Sequence, residues 1–292
     1  MTHQGEPLVS VVIPSLNQGR FIEETICSVL AQSYPHIELI VVDGGSTDET
    51  LDVLMKYGDA IQWISEPDGG HADAVNKGFR LAKGEIIGWL NSDDVYFFKD
   101  TVKAAVRAFN EFTFADIIYG DSVKISEKNT ILRMYLTLPY NKERMGRANY
   151  ITQPAVFMRR HVINIETLSN YLSLDYEFWL RLAKKGYTFH HIPTVIAGDR
   201  QYRARASMQK RALIKAEMKE YQALYHPAQK YRPLRNFADS FLRAFCRLKG
   251  FRSILNMMIT KDYFDRLAFP GKVDSFSKLM YRQAFKSIVE VL

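Results

Sequence analysis

The stretch Gly84-Glu85-Ile86-Ile87-Gly88-Trp89-Leu90-Asn91-Ser92-Asp93-Asp94 sets an apolar run directly against four polar residues. Ile86 to Leu90 reads as a short strand fit for burial inside a sheet covered on both faces. Ligands of an open α/β sheet sit outside the carboxyl ends of its strands, so Asn91, Ser92, Asp93 and Asp94 fall where a site would be. Adjacent carboxylates repel each other unless a cation or hydrogen-bond donors compensate. A hard divalent ion carrying a diphosphate would do so, because ions such as Mg²⁺ take oxygen ligands and keep phosphate among them. The plainer reading is an Asx-turn leading to a helix that begins near Asp100.

Working back towards the N-terminus, the same design repeats. Leu8 to Pro14 is a strand that stops at a proline and is followed by Ser15, Asn17, Gln18 and Gly19. Phe21 to Gln32 has helical spacing through Ile22, Ile26, Val29 and Leu30. Glu38 to Val42 is a second apolar strand, ending in Asp43-Gly44-Gly45-Ser46-Thr47-Asp48. Ser46 or Thr47 is placed to cap a helix over 48–57. A short strand at Ile61 to Ile64 runs into Glu66-Pro67-Asp68-Gly69-Gly70-His71 and a helix over 72–82. Strand and helix alternate four times, which indicates a doubly wound, mostly parallel α/β sheet with helices on both faces. Four strand ends in a row are polar, more than turn chemistry requires.

Neither G-x-G-x-x-G after the first strand nor G-x-x-x-x-G-K-[ST] occurs, which counts against dinucleotide and P-loop chemistry. Downstream, Ile117 to Asp121 is a strand ending in an acid, residues 122–136 read as a hairpin, and Gln153 to Arg160 as a strand with a polar start. In Leu174 to Gly186, Tyr176, Trp179, Leu180 and Ala183 mark the buried face of a helix closed by glycine. Asp175 stands at its start, as an N-cap, a first-turn acid or a fixed functional carboxylate. His190 and His191 read as strand residues.

Of 292 residues, 24% are charged and 47% hydrophobic, ordinary for a globular protein. Met1 to Pro7 has no apolar h-region and no run approaches the ~18 residues of a membrane span. Only Cys27 and Cys246 occur, so a disulfide framework is not expected and a cytoplasmic location is. The formal charge of +7 is unevenly spread. Residues 203–292 hold 19 basic against 7 acidic side chains, residues 1–202 hold 20 against 25. We therefore expect a catalytic domain over 1–207 and a basic helical extension over 208–292. In the extension Phe237, Phe241, Phe245 and Leu248 recur at helical spacing beside Arg243, Arg247 and Lys249. That stripe suits packing on the domain or contact with an anionic membrane surface. Nucleic acid is not an expected partner, since the aromatics follow a core-facing period.

Taken in order, these pieces resemble the family 2 glycosyltransferases of GT-A fold over roughly residues 8–207. The resemblance rests on Val11 to Asn17, Val41 to Asp48, Asp68 to Gly78, Leu90 to Asp94, Gln153 to Phe157 and Asp175 to Arg181. It implies an inverting transfer from a nucleoside diphosphate sugar, UDP-sugars foremost, to a glycan or lipid-linked acceptor hydroxyl. Pro14, Ser15, Asn17, Asp43, Asp73 and Asn76 would line the nucleotide, with Asp43 accepting from the base. Asp93 would bind Mn²⁺ or Mg²⁺ on the diphosphate, with Asn91 standing where the family has a first acid. Asp94, Gln153 and Asp121 would face donor sugar or acceptor, and Asp175 would be the general base. Many relatives carry a His shortly before Ser207; here Arg200, Arg203 and Arg205 stand nearby and are candidates to neutralise the diphosphate. The alternatives are a sugar nucleotidyltransferase, whose Gly-rich Arg/Lys loop Ser15 to Arg20 matches poorly, or a sugar-binding or membrane adaptor without full activity.

Overall fold

The computed structural model describes residues 6–225; most of the extension expected over 208–292, with its stripe of Phe237, Phe241, Phe245 and Leu248, lies outside them. Among the described residues nine strands form one sheet. They are β1 (Val9–Ser15), β2 (Ile37–Asp43), β3 (Gln62–Ser65), β4 (Ile86–Trp89), β5 (Val95–Tyr96), β6 (Ile117–Ser126), β7 (Ile131–Tyr135), β8 (Val156–Arg159) and β9 (Phe189–Gln201). Their order is β3-β2-β1-β4-β8-β6-β9-β5, with β7 paired to β6. The helices are α1 (Gly19–Leu30), α2 (Thr50–Met55), α3 (His71–Leu81), α4 (Thr101–Glu111), α5 (Lys142–Met145), α6 (Arg160–Ile165), α7 (Leu174–Lys185), α8 (Ala206–Gln209) and α9 (Arg211–Tyr225).

The first half of the sheet is the doubly wound unit expected from the sequence, β3-β2-β1-β4 being parallel throughout. Beyond β4 the sheet becomes mixed. β8 runs antiparallel to both β4 and β6, while β6 and β9 are parallel. Residues of β1 alternate between two cores. Val12 joins Trp89, Phe79 and Trp179 on one face, and Val11 and Ile13 join Ile22, Ile26 and Tyr96 on the other. Each such side chain contributes about 1.5–3 kcal/mol of burial, which is why these strands are apolar on both faces. Gly78 lets α3 lie close on β1, for a Cβ there would meet Val12 Cγ1 at 2.2 Å.

Two local expectations change. Ser46 and Thr47 do not cap α2. The Ser46 hydroxyl is drawn to the buried Asp43, and Asp48 instead accepts from Thr50 N and Gly19 N, both at 3.0 Å, tying α2 to the start of α1. The helical extension expected from 208 begins instead within α8, and Lys210 separates α8 from α9. α9 docks on α7: Glu217 accepts from Leu172 N and Ser173 N at 3.1 and 2.8 Å, just before α7 begins, and Tyr225 donates to Glu177 at 2.6 Å. The first turns of the expected extension therefore pack on α7.

Candidate active site

The register lines up the polar strand ends. Ser15 of β1 pairs with Asp43 of β2, which pairs with Ser65 of β3. Leu90 N donates to Val12 O, so Asn91 to Asp94 emerge on the same rim. Asp94 is sealed from solvent and Asp93 is 7% exposed. Asp94 accepts from Arg200 N at 2.9 Å and from Arg205 Nη2 at 3.2 and 3.3 Å. Asp93 Oδ2 accepts from Tyr202 Oη at 3.0 Å and faces Arg205 Nε at 3.3 Å. Gln153 joins β4 to this turn, donating to Trp89 O and accepting from Asn91 Nδ2, both at 2.7 Å.

Burial pushes the Asp94 carboxyl above the ordinary carboxylate range, Asp93 and Asp199 push the same way, and Arg205 opposes them. Asp199, despite burial, is held below that range by Arg205 and Lys124. Burial works against the Arg205 charge, but Asp94, Asp93 and Asp199 keep it protonated. Three carboxylates and two cations thus share one enclosed cluster. Its members come from the turn after β4, from β6 and β9, and from the segment after β9, which only the folded sheet brings together.

Asp175 is a first-turn residue of α7, two positions after the N-cap Ser173, which makes no side-chain cap. Asn149 Nδ2 donates to its Oδ2 at 3.1 Å. Asp175 keeps some accessible surface amid dense packing, and loss of solvent pushes its carboxyl above the ordinary range. Hydrogen bonds from Tyr176 N and Asn149 oppose that push, and the charge of Asp199 adds to it. A carboxyl raised in this way takes up a proton more readily than an exposed one, as a general base must.

Asp43 is sealed; its oxygens accept from Gly45 N, Ser46 N, Ser46 Oγ and Ser65 Oγ at 3.1, 2.8, 2.5 and 2.8 Å. All four donors belong to the chain, so a bound base would compete with them. Asn17, at φ 51°, accepts from Thr47 N at 2.9 Å. Asn76 is engaged with Leu168 through both its amide atoms. Asp73 accepts from Gly69 N and pairs with Lys77. Pro14 and Ser15 are buried at the end of β1, and Ser15 Oγ is without a hydrogen-bond partner, a donor left on the rim. Asp121 accepts from Thr137 N at 2.7 Å and bonds His191 Nε2 at 3.1 Å. Of the three arginines, Arg203 is exposed and Arg200 is sealed. The Arg200 guanidinium is spent on Asp93 O, Asn129 Oδ1 and Glu24 Oε2, at 2.8, 2.6 and 2.7 Å. Arg200 is thus buried and engaged within the protein, whereas Arg205 is the arginine whose side chain meets Asp93, Asp94 and Asp199.

Sequence reasoning passed over His71, Asn149, Asp199 and Tyr202. His71 opens α3, packs edge-on against Trp89 with ring centroids 5.9 Å apart, and lies beside Asn91 and Asp93. The Gly-Gly-His at a helix start was its only signal. Tyr202 and Asp199 lie more than a hundred residues from Asp93 and had none.

An oxygen-seeking divalent ion fits the side chains present. Asp93 offers a carboxylate, and Asn91 Oδ1 lacks a well-formed hydrogen bond in its buried position beside the His71 ring. Among the described residues no group of three or more His, Cys, Asp or Glu is arranged to hold a metal ion by itself. An ion here would need further oxygens from water and a ligand, the coordination Mg²⁺-type ions favour beside phosphate.

The model of the glycosyl transferase family 2 matches residues 10–166, a span running from β1 through the Asn91–Asp94 turn to α6. The chain belongs to glycosyl transferase family 2. A glycosyltransferase of Rickettsia felis is 34% identical over 193 residues, covering 61% of this chain and 32% of that protein. The chain thus spans about a third of that relative's length. TuaG of Bacillus subtilis, a glycosyltransferase named for teichuronic acid biosynthesis, is 32% identical over 216 residues, covering 66% of this chain and 78% of TuaG. Among solved structures, TarS 1–349 of S. aureus in complex with UDP-GlcNAc has a TM-score of 0.61 at 18% identity, covering 88% of this chain and 77% of that one. The mannosyltransferase PcManGT of Pyrobaculum calidifontis, in complex with GDP-Man and Mn²⁺, has a TM-score of 0.58 at 16% identity, covering 86% and 75%. This family 2 chain shares their GT-A fold.

Proposed function

We propose that this family 2 protein transfers a sugar, with inversion, from a nucleoside diphosphate sugar to an acceptor hydroxyl. The observation that carries the reading is Asp175, a carboxyl held by Asn149 and pushed above its ordinary range, linked electrostatically through Asp199 to the Asp93–Asp94 cluster. The acceptor oxygen attacks the anomeric carbon as its proton passes to a carboxylate oxygen of Asp175. The bond from that carbon to the diphosphate oxygen breaks, and its electron pair leaves with the nucleoside diphosphate. General-base assistance of this kind is worth ~10²–10⁴ in rate. A divalent ion, held by Asp93 with Asn91, would supply Lewis-acid stabilisation of the departing diphosphate. No covalent sugar–enzyme intermediate is needed, so one base suffices.

UDP-GlcNAc and GDP-Man in the structural neighbours support a nucleotide-sugar donor, and teichuronic acid in the name of TuaG supports a growing glycan as acceptor. The test is a thermal-shift screen of UDP- and GDP-sugars with and without Mn²⁺. At least one donor should raise the melting temperature only with the metal; no response to any would count against the reading. The excess of 19 basic over 7 acidic residues in 203–292 supports contact with an anionic membrane surface. Among the described residues no helix is long and apolar enough to cross a membrane. Sedimentation with anionic but not neutral vesicles, weakening as salt rises, would bear this out; equal binding to both would refute it.

A further inference from the structure

Arg205 meets three carboxylates at once. Its Nε lies 3.3 Å from Asp93 Oδ2, its Nη2 3.2 Å from Asp94 Oδ2, and its Nη1 bonds Asp199 Oδ1. The same Nη1 donates to Arg200 O at 2.6 Å, fixing the guanidinium from the strand side. The Arg205 side chain is 14% exposed and those of Asp93, Asp94 and Asp199 are 10%, 0% and 8% exposed, so water screens little of their interaction. Lys124 neutralises Asp199 from the far side, and His71 and the Tyr202 hydroxyl also interact with Asp93.

Asp93 Oδ2 is therefore already taken, by the Arg205 guanidinium and by the Tyr202 hydroxyl. A divalent ion binding that oxygen must compete with both donors for the same lone pairs. It would also bring two positive charges beside a fixed third. We propose that Arg205 is the resident counter-cation of the Asp93–Asp94–Asp199 cluster, and that a divalent ion binds only as Arg205 gives up Asp93 for the donor's diphosphate. This rests on the reading that Asp93 receives the metal. A guanidinium freed from one carboxylate can direct its fork of donors at phosphate oxygens, for which arginine is well shaped. Metal and nucleoside diphosphate then favour each other's binding, by the same factor in each direction.

The experiment titrates Mn²⁺ alone, followed by its electron paramagnetic resonance signal, into wild type, Arg205→Gln and Arg205→Lys, with and without UDP. Wild type should bind Mn²⁺ alone weakly and gain at least ~10-fold in affinity with UDP, a coupling in the usual allosteric range. Arg205→Gln should bind Mn²⁺ alone at least ~10-fold more tightly than wild type, and UDP should add less. Arg205→Lys retains the charge should removal of the guanidinium prevent folding. Its single ammonium cannot span three carboxylates, so it should still bind Mn²⁺ alone more tightly than wild type. Variants that bind Mn²⁺ alone no more tightly than wild type would overturn the proposal, even if UDP promotes Mn²⁺ binding to wild type and Asp93 keeps its metal role. Absence of Mn²⁺ binding to all three proteins, even with UDP, would overturn both.

Discussion

Asn149 Nδ2 donates to Asp175 Oδ2 at 3.1 Å, joining a loop residue to the first turn of α7. The amide can only donate from this nitrogen, so the contact favours the ionised carboxylate. Loss of solvent is the larger influence on Asp175 and acts the other way, with the Asp199 charge assisting it.

The sign for catalysis follows. A base must be deprotonated to act, and Asp175 titrates above the ordinary carboxylate range. Activity should fall as pH drops through that raised value. Asn149→Ala removes a donor that lowers the Asp175 pKa, so the acid limb of kcat/KM should move to higher pH while the alkaline limb stays. A limb that stays in place, or moves to lower pH, would show that Asp175 is not the group being titrated.

Asp93→Asn should abolish metal-dependent binding of the nucleoside diphosphate and leave the fold intact. The amide keeps the size of the side chain but removes the charge that both Arg205 and a metal use. Calorimetric titration of UDP with and without Mn²⁺ measures it. Unchanged metal-dependent affinity would remove Asp93 from the metal role.

Glu217 of α9 accepts from Leu172 N, Ser173 N and Ser173 Oγ, at 3.1, 2.8 and 3.0 Å, where the chain enters α7. Glu217→Ala leaves these donors without their charged acceptor and should cost about 1.5–3 kcal/mol of stability, read by urea unfolding. Burial opposes it, but these bonds hold the Glu217 carboxyl below its ordinary value. Its contribution is therefore present above the unfolded-state pKa and lost as pH falls through the lower folded value. A deficit that persists undiminished in acid would assign the effect to packing instead.

The parallel half of the fold was legible because β1, β2 and β4 are largely buried on both faces and each of the first four strands turns polar at its end. Val12 and Ile13 face opposite cores, and Ser15, Asp43 and Ser65 then share one row. The mixed half was less so: β5 is two residues long and gains its identity only by pairing with β9. The Asn91–Asp94 turn could be found from uncompensated charge, but its compensation could not. Arg205 and Tyr202 reach Asp93 across a hundred residues of chain, and no local spacing encodes that approach. Arg200, equally basic in the sequence, differs from Arg205 only in lying within β9, where Glu24 and Asn129 enclose it.

The central claim is that Asp175 drives sugar transfer from a nucleoside diphosphate sugar. The most direct measurement is release of nucleoside diphosphate, followed by phosphorus NMR, from wild type and Asp175→Asn with the donor that binds, Mn²⁺ and a glycan acceptor. Wild type should release it in step with glycosylated product, and Asp175→Asn should bind the donor equally well but release it at least ~10²-fold more slowly. Equal rates from the two stable proteins would contradict the assignment and return Asp175 to a first-turn acid of α7.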